Sequence, residues 1–369
     1  MSAHEVLIYT MAAFAVLGAL DRIFGNRFGL GQAFEEGILS TGALAMAMLG
    51  IITLAPWLAN LLRPVILPVY RFLGADPAMF AGSLLACDMG GGALAQALSS
   101  DPEAALFGGV LCGSMLGATV VFTIPVAMGI LRAEDRPALA KGVLCGVVTI
   151  PVGLLAGGLV AGFSLGMILR NLIPIVVLAA LIALGLWKAE RFMIQGFRIF
   201  GKAITALITL GLALGIVQSL TGLSILPGTA PLEEGFLTVG AIAIVLAGAF
   251  PLVALVTKLL RKPLLGLGKL LGINDTAAGG LIASLANSIA TFSMVEKMDE
   301  RGKVVNIAFA VSAAFVFGDH LGFTAGFAPQ MLPAMIVAKL VGGISAAAVA
   351  LLLTRKPKTS IDKNGEIGL

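Results

Sequence analysis

Long apolar runs alternate with short charged loops along most of the chain. Two runs, about 77–98 and 276–296, are apolar but interrupted by Gly, Asp, Asn and Ser. No run shows the period-two alternation of a strand, so the pattern predicts helices throughout. Nine uninterrupted runs approach or exceed the roughly 20 residues that a membrane-spanning helix needs. They lie at about 4–24, 37–62, 104–131, 138–162, 171–187, 203–222, 235–257, 304–321 and 330–354.

The first interrupted run, FAGSLLACDMGGGALAQAL from Phe80 to Leu98, contains the carboxylate Asp88 and three glycines directly after Met89. A lone Asp in the middle of a lipid-embedded helix costs about 2.5 to 3.5 kcal/mol. Each glycine weakens a helix by roughly 1 kcal/mol. Two unfavourable features side by side predict a broken helix that lines a polar cavity.

Loop charges favour a topology in which both interrupted runs enter and leave on the same side. The predicted outside then holds only Arg63, Arg71 and Arg170, and Lys339 lies within a span. The other 20 of the 24 basic residues are inside. Because basic residues favour cytoplasmic loops, the N-terminus is predicted outside and the C-terminus inside, with re-entrant interrupted segments. Arg63 and Arg71 fit this topology least well.

Two halves of the chain resemble one another. The string FEEGILSTGALAMAMLG from Phe34 is echoed by LEEGFLTVGAIAIVLAG from Leu232. In the re-entrant topology the first copy starts outside and the second inside, which is the inverted repeat of many secondary transporters. The predicted fold is therefore an all-α polytopic membrane protein of about 9–11 transmembrane helices, in two inverted-topology repeats, each with a broken or re-entrant helix.

The repeat also divides the chain. We expect a first transmembrane repeat at 1–165, a connecting span and cytoplasmic loop at 166–197, a second repeat at 198–354 and a polar cytoplasmic tail at 355–369. Glycines at four-residue spacing let helix backbones approach closely, either within the chain or between copies of it in a homo-oligomer.

Composition narrows the functional classes. The chain is 59% hydrophobic and 12% charged, whereas soluble domains carry about 25% charged residues. This leaves no room for a soluble catalytic domain, and the net charge of +4 reflects topology and not nucleic-acid binding. Cys87, Cys112 and Cys145 form no CxxC or Cys/His cluster, so the spacing supports neither a disulfide framework nor a metal site. Nothing in the sequence indicates a cofactor.

Asp88 is the strongest candidate for a functional residue. Its carboxylate either caps backbone N–H groups at the helix break or binds a cationic substrate or coupling ion. The free carbonyls of a helix ending near the glycines would add negative charge, which favours a small ammonium or metal cation.

Two further groups of polar residues are candidates for binding the substrate. In the repeat register Asp88 falls opposite Asn287, which lies near Ser288 and Thr291. These groups either bind a hydroxyl or amine, or hydrogen-bond within the broken segment. Asp319 and His320, expected at the outer end of the span at 304–321, are either a vestibule charge or a simple loop pair.

Three other polar residues lie in apolar surroundings. Gln96 and Thr119 could line the transport path. Lys339 could pair with a carboxylate such as Asp88, or extend its ammonium along the helix to the membrane surface.

The motifs FAGSLLACDMGGGALA, FGDHLGFTAG and the two EEG repeat openings together resemble the ethanolamine permease family of bacterial ethanolamine-utilisation systems. The resemblance runs from the first span to the last, and the Asp-Met-Gly-Gly-Gly stretch is its most specific part. It implies ethanolamine as the substrate and the bacterial cytoplasmic membrane, with its lipid bilayer, as the location. The residues alone indicate only a transporter of a small polar solute with a cationic group.

We therefore expect an ethanolamine importer that supports ethanolamine catabolism, with Asp88 holding the ammonium and the Asn287–Thr291 cluster or Asp319 holding the hydroxyl. A proton- or sodium-coupled symporter of another small amine or polar solute is the alternative. An intramembrane enzyme using Asp319 and His320 lacks a nucleophile–base motif. A non-transporting scaffold would not need two opposed halves.

Overall fold

The computed structural model describes residues 3–354, apart from the side chains of residues 3, 260–265, 267 and 269. The predicted polar tail at 355–369 lies outside the described residues. Between residues 3 and 354 the secondary structure is entirely helical, with no strand. The predicted all-α class is therefore confirmed for the described part of the chain.

The first half begins with two helices that the apolar runs predict and continues with two short ones. The next helix, Pro102–Ile130, is α-helical at both ends and has wider π-helical turns at Phe107–Gly117 and Thr119–Thr123. The α-helices of this half are α1 (Ala3–Ile23), α2 (Leu30–Phe72), α3 (Ala78–Leu84), α4 (Gly91–Leu98), α5 (Pro102–Leu106), α6 (Ile124–Ile130) and α7 (Arg136–Val160).

A single long helix, α8 (Leu165–Thr221), joins the two halves. It kinks at Ala189, where φ is −141° and ψ is 45°. It contains both of the spans predicted at 171–187 and 203–222, so the residues expected to form a cytoplasmic loop between them belong to this kinked helix.

The second half repeats the order of the first. A long helix is followed by two short ones, then by a broken helix and a final long one. These are α9 (Leu232–Leu271), α10 (Asp275–Ala286), α11 (Ser288–Met294), α12 (Glu300–Ala313), α13 (Asp319–Phe327) and α14 (Leu332–Leu353).

Seven helices within residues 3–354 are long and apolar enough to cross a membrane, which confirms a polytopic membrane protein. The difference from the nine predicted spans has two causes. Helix α8 contains two of them, and the run at 304–321 is not one helix because the chain unwinds between Ala313 and Asp319. The apolar pattern could not reveal this break, since its residues are as apolar as the helix before it.

The second interrupted segment folds back on itself. The Thr291 hydroxyl donates to the Gly280 carbonyl at 2.9 Å, although the two residues are 11 apart. In a continuous helix they would be about 16 Å apart. Helices α10 and α11 therefore form a hairpin, with Asn287 at its tip.

The first interrupted segment also folds back. A methyl group placed on Gly108 would lie 2.7 Å from the Ala78 carbonyl oxygen, and one on Gly109 would lie 2.9 Å from the Ala95 Cβ. Two neighbouring glycines thus contact both the start of α3 and the end of α4. In a continuous helix Ala78 and Ala95 would be about 26 Å apart.

Arg63, one of the two basic residues that fit the predicted topology least well, has a structural partner at the base of this first hairpin. Its guanidinium donates to the Ala97 carbonyl at 2.9 Å, near the end of α4. A carbonyl left free at a helix C-terminus needs such a partner, and a cation there also suits the helix dipole.

Corresponding helices of the two halves pack against each other. Helix α2 lies along α9, and α7 lies along α14. Helix α1 packs on α9, while α8 packs on α2. This arrangement agrees with two similar halves, and their inverted orientation in the membrane stays a prediction.

The α3–α4 hairpin predicts that both of its flanks face the same side of the membrane. Single cysteines at Arg71→Cys and Asp101→Cys should react with a membrane-impermeant maleimide added from the same side. Both positions are exposed, and the three native cysteines are buried, so they should give little background.

Arg132→Cys is a suitable control, because Arg132 is exposed and is predicted on the inner side. It should be labelled only when the inner side is accessible. Labelling of positions 71 and 101 from opposite sides would contradict the hairpin.

Candidate functional site

A cavity of about 200 Å³ lies where α2 meets the helix breaks of both halves. Carboxylate, imidazole and aromatic groups share its wall with small and apolar side chains. Its lining consists of Ser40, Ala43, Leu44, Ala47, Ala86, Asp88, Met89, Ala118, Phe122, Phe315, Asp319 and His320. The structure therefore brings together Asp88, Asp319 and His320, three of the residues that the sequence singles out.

Asp88 lies at the tip of the first hairpin. Helix α3 ends at Leu84, and Asp88 occupies the middle of a 3-10 turn that ends at Met89. Gly90 follows with φ of 86°, a conformation that glycine adopts without strain. The break predicted from the Asp-Met-Gly-Gly-Gly stretch is thus present, and the Asp88 side chain is 15% exposed.

His320 faces Asp88 from the second half. Its Nε2 atom is 3.7 Å from Asp88 Oδ1, which is longer than a hydrogen bond. His320 is buried, and its Nδ1 atom has no hydrogen-bond partner among the described residues. The Phe315 ring lies against the imidazole, with 5.3 Å between ring centroids.

The sequence suggested that Asp319 and His320 lie at the end of a span. In the structure they begin α13. The preceding break includes Phe315, whose φ of 63° is unusual for a residue with a bulky side chain. The Phe315 and Phe317 N–H groups donate to the Ser284 and Leu285 carbonyls at 3.0 and 2.9 Å. The tip of the α10–α11 hairpin therefore holds this break beside the cavity.

Lys339 is buried in α14, and its ammonium donates to the Ser114 carbonyl. Ser114 follows Gly113, which packs against Cys87. No ion pair between Lys339 and a carboxylate forms within the described residues, so its direct partner is a backbone carbonyl.

A possible set of metal ligands also lies here. The ligand atoms of Cys87, Asp88 and His320 are all within 4.8 Å of one another. Sequence spacing gave no sign of this group, because His320 is far from Cys87 in the chain and only the fold brings them together.

The other predicted contact residues lie away from this cavity. Asn287 is exposed and accepts from the Ile289 N–H at 2.8 Å. Thr291 bonds within its hairpin, to Ser284 and Gly280, while the buried Ser288 hydroxyl has no partner among the described residues.

Gln96 and Thr119 also lie away from the cavity. Gln96 is exposed on α4. Thr119 is buried and donates to the Met115 and Val311 carbonyls at 2.7 and 3.1 Å. Its hydroxyl therefore connects the two halves of the chain.

Among the lining residues that the sequence analysis did not single out, Ser40 and Phe122 differ in the signal they carry. Ser40 on α2 is polar in an apolar run, which is a weak signal. Phe122 carries no signal of its own, because nothing distinguishes it from the other aromatic residues of the spans until the fold places it against Phe315, at 5.5 Å between ring centroids.

Known proteins resemble this chain along nearly its whole length. A family model described as "Ethanolamine utilisation protein, EutH" matches residues 3–353. A Listeria monocytogenes protein named "Probable ethanolamine permease EutH" is 58% identical over 373 residues, covering 99% of this chain and 100% of the relative. An Escherichia coli protein of that name is 47% identical, covering 98% of each chain. "Uncharacterized protein YxeR" of Bacillus subtilis is 49% identical, covering 96% of each. No solved structure matches.

The bonding of Thr291 predicts a structural effect on mutation. Thr291→Val should lower the thermal unfolding midpoint of the detergent-solubilised protein. The change removes the donor to the Gly280 carbonyl and leaves the buried Ser284 hydroxyl without its Thr291 partner, which costs about 1–3 kcal/mol.

Ser293→Ala is the matched control, because its hydroxyl bonds only to the Ile289 carbonyl at an exposed position of the same helix. It should change the midpoint little. Equal midpoints for Thr291→Val and the unmodified protein would contradict the role of Thr291 in holding the hairpin.

Proposed function

Because the chain belongs to the ethanolamine utilisation protein EutH family, as its resemblance predicted, we propose that it imports ethanolamine into the bacterial cell. The chain is a multi-pass protein of the bacterial cytoplasmic membrane. The permease names of its relatives favour a transporter over an enzyme. Import, rather than export, fits a supply of ethanolamine for catabolism.

The observation that carries the proposal is the pair of carboxylates at one small cavity, Asp88 from the first half and Asp319 from the second. Ethanolamine is mostly an ammonium ion at neutral pH. Acidic groups within a membrane domain are costly and usually mark a substrate or ion pathway. Two carboxylates facing a cavity of about 200 Å³ suit a small organic cation.

Asp88 is the better candidate for the ammonium. It lies in the turn between α3 and α4, and its side chain is partly open to the cavity. The rings of Phe122 and Phe315 line the same cavity. An aromatic face near an ammonium contributes about 0.5–2 kcal/mol of cation–π attraction.

The hydroxyl of ethanolamine would then meet Asp319 or His320. Both line the cavity, and the Nδ1 atom of His320 has no hydrogen-bond partner in the part of the chain that the structure describes. The Asn287–Thr291 cluster was the other expected partner, but Asn287 and Thr291 bond within the α10–α11 hairpin and the cluster lies outside the residues that line the cavity. Asp319 is therefore favoured over that cluster.

Alternating access requires one part of the protein to move against the other. Two ion pairs join the halves on the predicted inner side: Arg132 with Glu296 at 2.5 Å, and Asp135 with Lys303 at 2.7 Å. We propose that the Arg132–Glu296 pair separates when the cavity opens inward, while the largely buried Asp135–Lys303 pair holds the halves together. Arg132 and Glu296 are half-exposed, so their separation costs little.

A proton- or sodium-coupled symporter of another small amine or polar solute is the second candidate. The observation that favours it is the second carboxylate, since Asp319 could hold the solute while Asp88 holds a proton or sodium ion. Uptake into proteoliposomes should be measured while the proton and sodium gradients are collapsed one at a time. Loss of accumulation with one gradient would identify the coupling ion, and no loss with either would identify a facilitator.

Asp88→Asn should abolish saturable uptake of labelled ethanolamine into proteoliposomes. The substitution keeps the size of the side chain and removes the negative charge that the ammonium needs. A loss of one charge-assisted contact of about 1.5–3 kcal/mol corresponds to roughly 10- to 100-fold weaker binding.

Asp275→Asn is the matched control, because Asp275 is exposed in the first turn of α10, away from the cavity. It should transport as the unmodified protein does. Undiminished uptake by Asp88→Asn would reject Asp88 as the ammonium site.

A further inference from the structure

Three side chains with different donor atoms meet at the tip of the first hairpin. The Cys87 sulfur, an Asp88 carboxylate oxygen and a His320 ring nitrogen lie within 4.8 Å of one another. Cys87 is a free, fully buried cysteine. Cys87 and Asp88 come from the 3-10 turn of the first half, while His320 comes from α13 in the second.

We infer that Cys87, Asp88 and His320 form a binding site for a thiophilic divalent cation of the zinc class. Thiolate, imidazole and carboxylate are the ligands that Zn²⁺ takes in proteins, at bond lengths of about 2.0–2.3 Å. Around a tetrahedral ion of those bond lengths, donor atoms lie about 3.5 Å apart. The Asp88 and His320 donors are already at 3.7 Å. Because all three donor atoms lie within 4.8 Å of one another, closing the site requires donor atoms to approach by about 1 Å.

His320 supplies an independent indication of a ligand. His320 is 3% exposed, and its Nε2 atom, which faces Asp88 at 3.7 Å, is too far from the carboxylate to hydrogen-bond. A buried polar group without a partner costs about 1–3 kcal/mol. A bound cation would give the imidazole a strong partner.

The cavity gives the site an open position. Asp88 and His320 both line it, so an ion held by three protein ligands would face the cavity with its fourth position. A water molecule or a small solute with an oxygen or amine donor would complete the coordination, as at zinc sites with three protein ligands.

The charges around the site determine which ion it prefers. On binding, Cys87 releases its thiol proton to solvent and becomes a thiolate. The thiolate and the Asp88 carboxylate then offset the charge of the ion. Mg²⁺ and Ca²⁺ prefer oxygen ligands and should therefore not compete.

The test uses cobalt as a spectroscopic substitute for zinc. Co²⁺ is titrated into the purified full-length protein in detergent without added thiols. A near-ultraviolet thiolate-to-cobalt charge-transfer band should appear and saturate at one ion per chain. Zn²⁺ should abolish the band, whereas excess Mg²⁺ should not.

Variants assign the ligands. Cys87→Ser should lose the band, and His320→Gln should raise the apparent Kd for Co²⁺ at least about 10-fold, since even changes around the ligands of a metal site cost that much. Cys145→Ser is the matched control, because Cys145 is also buried but lies in α7. It should bind as the unmodified protein does.

Absence of the band in the unmodified protein would overturn the inference, as would its survival in Cys87→Ser or its loss in Cys145→Ser. The titration of the unmodified protein alone shows whether the band appears, so a variant that fails to fold cannot obscure that result. The measurement needs no transport. A chain that binds Co²⁺ through Cys87 but carries no ethanolamine would overturn the proposed function and leave the metal site standing.

Discussion

Backbone groups freed at a helix break must find partners inside the protein, because the lipid interior offers none. The structure meets this constraint by stacking its breaks on one another. The N–H groups of Phe315 and Phe317 bond to carbonyls at the end of α10, and Arg63 reaches a carbonyl near the end of α4. Each broken element is therefore held by another part of the chain, and none could be placed alone.

This mutual support also creates the cavity. Once two breaks lie side by side, their side chains cannot fill the space that continuous helices would occupy, and Asp88, Asp319 and His320 line what is left. Glycine makes the packing possible: Gly108 and Gly109 allow both arms of the first hairpin to approach one helix closely. The polar groups and the small residues are thus two parts of one arrangement.

The same arrangement relates the proposed transport to the inferred metal site. Asp88 belongs to both, so an ion bound beside Cys87 and His320 would occupy the carboxylate that we assign to the ammonium. The two halves contribute unequally, since the first supplies the turn with Cys87 and Asp88 and the second supplies the imidazole. Any relative movement of the halves would change the distance between these groups, because they lie on opposite sides of the interface.

The sequence by itself determined the helical class, the membrane environment, the repeated order of elements and the break at Asp88. These follow from the length of apolar runs and from the cost of an acid and glycines within them, which are local properties. Only the tertiary structure decided that the run at 304–321 unwinds before Asp319, that Asn287 and Thr291 serve their own hairpin, and that His320 faces Asp88. Those outcomes depend on which groups far apart in the chain form hydrogen bonds with one another, and no local pattern of residues predicts those partners.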